Sequence, residues 1–331
     1  MMISYLSHLT SFTMPERYQL AAQSQRGFTL LEMVLVLFLI GLLASAGLLF
    51  TEGVEDQAKY DETKRRMELI RKAIIGDSTR TINGAPEISG FAADMGRLPG
   101  CIKELLVNKN CDGSEIEDWE VDPDTGIGFG WRGPYIQTIA DRSGDVKFRD
   151  GYGNDDDTEN FGWEWLLLDA SNNTLSMTEA QSAVKANLQS LGFDVIDPVD
   201  DIPNGEIEAI SNLIAQNDWL TDDGLTISFY NTSSLSSVDI ELDNWDLSLS
   251  RSDIPEFINL SVATAVSSVT VQPESSVDVT ANFENKIPMG IYLLTLNCNP
   301  SSTCPSSVTT PYQIVLLPKH HIAPFPWRIS P

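Results

Sequence analysis

The chain has 331 residues, 42% hydrophobic and 21% charged, enough to bury one good core and long enough for two outer domains. Its formal net charge of −26, with no local basic patch in the sequence, excludes nucleic-acid binding through a generic electrostatic footprint. Divalent cations or a basic partner surface suit such a polyanion, and the plainer reading is a solvated acidic coat on an exported protein.

Residues 1–27 hold Arg17 and Arg26 against Glu16 and read as a weakly basic cytoplasmic leader; Met14 offers a second start with the same end at Gly27. From Phe28 to Phe50 there is one formal charge, Glu32. A helix over that stretch, at about 1.5 Å per residue, crosses a hydrocarbon core of about 30 Å, so a membrane span is expected over 28–50. A secretory signal peptide carries its small-residue cleavage site after the apolar stretch, whereas here Gly27 comes before it, so the stretch stays on the mature chain. A carboxylate inside a span costs roughly 2.5–3.5 kcal/mol on insertion scales and is usually tied to a partner. Cleavage after Gly27 would supply one, the α-amino group of Phe28.

These residues, GFTLLEMVLVLFLIGLL (27–43), resemble the class III signal of type IV pilins and type II secretion pseudopilins. The resemblance implies cleavage after Gly27 by prepilin peptidase, N-methylation of Phe28, and assembly through the helix with Glu32 facing a neighbour's N-terminus. It also implies other pilin or pseudopilin subunits and an inner-membrane assembly platform as partners. The expected location is the bacterial inner membrane, single-pass with the C-terminal part periplasmic, before extraction into a filament. The plain alternative is an ordinary single-pass anchor.

The helix is expected to continue to about residue 82, where Met67, Ile70, Ala73 and Ile74 mark one apolar face and Gly76 with Asn83-Gly84-Ala85-Pro86 end it. Within 83–195, DMGRLPG (94–100), GWRGPYI (130–136), DGYGN (150–154) and FGWEWLLLDASNNTLSM (161–177) follow the order of similar segments in pseudopilin heads, with Tyr152 where the family has tryptophan. Trp163, Trp165 and Leu167 alternate with Glu164, Leu166 and Leu168, and Asn172-Asn173 turns into a second strand over 174–177, a hairpin signature. Trp131 and Tyr135 read as packing aromatics. Cysteines fall in two local pairs, Cys101 with Cys111 and Cys298 with Cys304, which an oxidising compartment allows to close as disulfides. Asp150, Asn154, Asp155, Asp156 and Asp157, with Glu159, crowd one loop with hard oxygen ligands, the candidate calcium site of the chain; a solvated run of like charge is the competing reading.

From Thr178 the pattern changes. Residues 178–191 read as a helix, and 196–224 as a helical connector with a second helix over 205–218. From 225 to 318 the sequence is strand-like throughout (LTISFY, SVDIEL, NLSVATAV, SVTVQP, SVDVTANF, GIYLLTLNC), a β-rich, sandwich-like module. Residues 319–331, proline-rich and basic with His320 and His321, read as a flexible tail. The expected fold is α+β: a long N-terminal helix packed on a small antiparallel sheet, then the β-rich module. No nucleophile elbow, phosphate loop or histidine constellation appears, so a structural, non-enzymatic role is expected. Two alternatives remain: a tip-located adhesin that binds through the module, and a membrane-anchored extracellular binding protein or enzyme.

Overall fold

No proline falls between Leu30 and Ile75, and those residues form one helix, α1 (Leu30–Ile75). It belongs to a computed structural model that describes residues 28–77, 79–82, 85–86, 88–155, 158–192, 214–221, 224–242, 245–251, 258–260, 268–283, 285–298, 311–319 and 322–331. Two compact units divide the chain, residues 1–55 and 56–331.

In the first unit the side chains of Phe28 and of 30–45 are exposed on every face of α1, including Leu30, Leu31, Leu37, Phe38 and Leu43. A helix apolar all round is built for lipid or for a bundle of its own kind. Among the described residues no helix is long and apolar enough to cross a membrane. The described side chains of the expected span run from Leu30 to Ser45, about 24 Å of helix, and those of 46–53 lie outside the description.

In the second unit, Ile70, Ala73 and Ile74 of α1 are buried, as their spacing predicts. The helix ends at Ile75, short of the expected residue 82, because Gly76 takes φ 77° and a Cβ there would lie 2.4 Å from the Ser89 carbonyl oxygen. Two short ladders, β1 (Thr81–Ile82) with β2 (Ala85–Pro86) and β3 (Glu120–Val121) with β4 (Gly128–Phe129), pin loops on either side of a short helix, α2 (Phe91–Met95). The hairpin forms as read: β5 (Trp163–Leu168) pairs antiparallel with β6 (Thr174–Leu175), and Asn172 takes the left-handed conformation in the turn. Trp163, Trp165 and Leu167 enter the same buried cluster as Ile70, Ala73, Ile74, Phe91, Leu98 and Leu105.

The expected helix over 178–191 is corrected. Only a 3-10 turn, Met177–Ser182, forms there, followed by β7 (Lys185–Ser190) on the other edge of β5. Ala186, Leu188 and Ser190 are buried alternately with less buried neighbours, a period of two, and the open edge of β5 supplies the ladder. Helix propensity in Thr178-Glu179-Ala180 yields one turn, closed by Ser176 and Glu179 as a capping box. The helical connector is corrected likewise where it is described. Residues 193–213 lie outside the description, Gln216–Asp218 is a 3-10 turn, and β8 (Leu220–Thr221) is a strand.

The β-rich module has its own core. Its strands are β9 (Leu225–Asn231), β10 (Val238–Glu241), β11 (Trp245–Ser250), β12 (Ile258–Leu260), β13 (Ser268–Val271), β14 (Ser276–Ala281), β15 (Ile287–Pro288), β16 (Gly290–Cys298), β17 (Tyr312–Leu316) and β18 (Phe325–Ile329). One sheet runs β12-β11-β16-β17 and another β14-β9-β18; β10 pairs with β13, and β15 with β8. Leu247, Leu249, Leu294, Leu296 and Ile314 of the first sheet share a buried cluster with Ile227, Phe229, Val279, Trp327 and Ile329 of the second. The flexible tail is thereby corrected over its second half: β18 lies parallel to β9, because Trp327 and Ile329 bury in the core while its backbone completes the ladder. His320 and His321 lie outside the description, as do residues 261–267 of the expected NLSVATAV strand.

Candidate functional site

Phe28 and Thr29 precede the first turn of α1, and Thr29 is its N-cap. The Thr29 carbonyl accepts from the amides of Glu32 (3.0 Å) and Met33 (3.1 Å). Its hydroxyl accepts from the Glu32 amide at 3.2 Å, and the Glu32 carboxylate accepts from the Thr29 amide at 3.4 Å. This is a reciprocal capping box, written in the sequence as Thr29-Leu30-Leu31-Glu32, a signal that the surrounding apolar run masks. It aims Glu32 at the positive end of the helix dipole, beside Phe28. Gly27 lies outside the described residues.

In the second unit the disulfide Cys101–Cys111 forms, with its Cα atoms 5.9 Å apart. It lies against a buried ion pair in which Arg97 Nη1 donates to Glu104 Oε2 at 2.7 Å. The amide of Gly100 donates to the same oxygen at 3.2 Å. Burial pushes the Glu104 carboxyl up, and Arg97 opposes that shift. Trp131 donates its indole N–H to the Glu104 carbonyl at 2.8 Å, and Tyr135 meets Phe91 and Trp131 edge to face, so both are packing aromatics as read. Cys298 ends β16, whereas Cys304 lies outside the description.

The candidate calcium ligands serve other partners where they are described. Asp150 is 2% exposed, and its carboxylate accepts from the amides of Gly153 and Asn154, the Asn154 side chain and the Ser190 hydroxyl. Asn154 also donates to the Gly192 carbonyl. Asp155 pairs with Lys147 and Arg149, and Glu159 with Lys103. Asp156 and Asp157 lie outside the description. The 150–154 turn thus works as a clasp on α1: the Gly151 amide donates to the Thr63 hydroxyl at 2.9 Å, and Arg66 donates to the carbonyls of Arg149 and Asp150. A Cβ on Gly151 would stand 2.2 Å from the Lys59 carbonyl oxygen, which explains glycine there. Among the described residues the one grouping of metal-ligand types is Cys101, Glu104 and Cys111, and its two sulfurs are bonded to each other.

Comparison with known proteins adds one finding at the N-terminus. Residues 22–48 match the family described as the prokaryotic N-terminal methylation motif. No curated protein and no solved structure matches the chain. The matched segment contains Gly27, Phe28, the capping box and the apolar helix start, and it supports the resemblance to type IV pilin-like subunits over that stretch.

Proposed function

We propose that this chain is a type II secretion pseudopilin or minor pilin, cleaved after Gly27, methylated on Phe28 and assembled through α1 with Glu32 as the assembly carboxylate. The observation that carries the reading is the methylation motif over 22–48, with the Thr29–Glu32 box holding the carboxylate at the helix end that cleavage exposes. The DGYGN turn clasped on Thr63 and Arg66, and the Trp-rich hairpin sharing a core with α1, agree with the pseudopilin-like order of segments in the head. On this reading the apolar stretch over 28–50 is a single-pass inner-membrane anchor with the remainder periplasmic, and an inner-membrane platform drives its extraction. The role is structural, with no catalysis.

A second reading, a tip-located minor pilin or adhesin, is favoured by the β-rich module, which adds a four-stranded sheet, a three-stranded sheet and a second buried cluster to the head. Localisation decides between them. Antibody against the module labels filament ends alone if the subunit caps the tip, and labels along the filament, or follows a periplasmic secretion complex, if it is a pseudopilin. Calcium binding at 150–157 is a subsidiary proposal: added calcium raises the melting temperature of the protein if the site exists, and leaves it unchanged if Asp150 is only a turn residue.

A further inference from the structure

The head and the β-rich module are built on two buried clusters, of which the head's also takes in Met289 from the module, and a buried cation spans the two beside it. Arg251 follows β11 and is 3% exposed. Its Nη2 donates to the carbonyl of Asp94 in α2 at 2.9 Å, and its Nη1 approaches the Met289 carbonyl at 3.4 Å. The guanidinium lies 5.3 Å from the ring centre of Phe129 in the head and 5.6 Å from that of Tyr292 in β16. Gly290 makes room for it: a Cβ there would lie 2.2 Å from Nη1, and φ of 155° disfavours any other residue. A planar, always charged group with a fixed fork of donors between two aromatic faces is a task for arginine and not lysine.

We propose that Arg251 is a latch that locks the module to the head, so that both move and unfold as one body. A lesser contact lies beside it, where the Met289 amide donates to the Trp219 carbonyl at 2.7 Å and the Trp219 indole donates to the Val184 carbonyl at 3.0 Å. On the proposed filament role, on which this consequence rests, anything the module grips is held at a fixed orientation to the head and feels the pull on the subunit directly.

Amide hydrogen exchange on the unassembled full chain in detergent tests the latch without depending on processing or assembly. In the wild type, the central amides of β9 and β16 and those of β5 and β7 exchange with one common opening. In Arg251→Met the module amides exchange at least tenfold faster while those of the head keep their rates. If Arg251→Met does not fold, Arg251→Lys is read in the same way. Equal change in both sets, or change in neither, overturns the proposal; separation of the module alone supports it.

Discussion

At the scale of single residues, Thr29 and Glu32 concentrate the local chemistry of the N-terminus. Each satisfies a backbone donor the first helical turn leaves open, so Thr29→Val removes one acceptor and costs the helix end about 1 kcal/mol. Faster amide exchange at Leu31 and Glu32 reads that loss. Glu32→Val leaves an apolar helix that inserts and is cleaved, yet its recovery in sheared filaments falls at least tenfold. Normal incorporation of that variant would remove the assembly role from Glu32. Further along α1, Glu62 accepts from both Arg65 and Arg66, and these bonds pull its carboxyl from 4.5 down to about 2. A depressed carboxyl stabilises the fold above its unfolded pKa and loses that contribution as pH falls from about 4.5 toward 2. The pair is partly solvated, so the amount is modest, about 0.5 kcal/mol. Glu62→Gln should flatten the acid limb of the stability curve over that window, measured by urea midpoints.

Elements fail or form according to where their apolar faces can go. The α1 face at 70–74 and the alternating Trp163, Trp165 and Leu167 were legible because burial follows directly from period, and the head core bears them out. Residues 185–190 were not, because Lys185-Ala186-Asn187-Leu188-Gln189-Ser190 fits a polar helix locally, and only the vacant edge of β5 selects the strand. Trp327 and Ile329 are spaced by two, a strand signal hidden by flanking prolines; a parallel edge position tolerates Pro326 and so decides the matter. The Cys101–Cys111 loop was legible from spacing alone, and the buried pair beside it was not. Closing a separation of ten residues constrains the unfolded chain by roughly 2–3 kcal/mol, so reduction should lower the unfolding free energy by that amount, read from urea midpoints with and without reductant. Glu104→Ala is more severe, about 3–5 kcal/mol, because it strands the Arg97 charge in a buried site. A loss under 1 kcal/mol would show that Arg97 finds water once its partner is gone.

For the whole molecule, charge and topology divide the tasks. The N-terminal helix carries the methylation motif and an apolar surface exposed on all sides, while the remaining acidic chain folds around two cores joined at Arg251. Composition argues against nucleic-acid binding through a generic electrostatic footprint, and the motif over 22–48 supports the pilin-like reading; position in a filament depends on surfaces whose partners no single chain contains. Everything in the functional account rests on one covalent event at the start of the chain. Intact mass and N-terminal sequencing of the protein, recovered from the membrane of a host with an active prepilin peptidase, test it most directly. The account predicts a chain that begins at N-methylated Phe28. A chain that retains Met1 or Met14, or that is cut beyond Phe50, would contradict it and turn attention to the β-rich module as the seat of function.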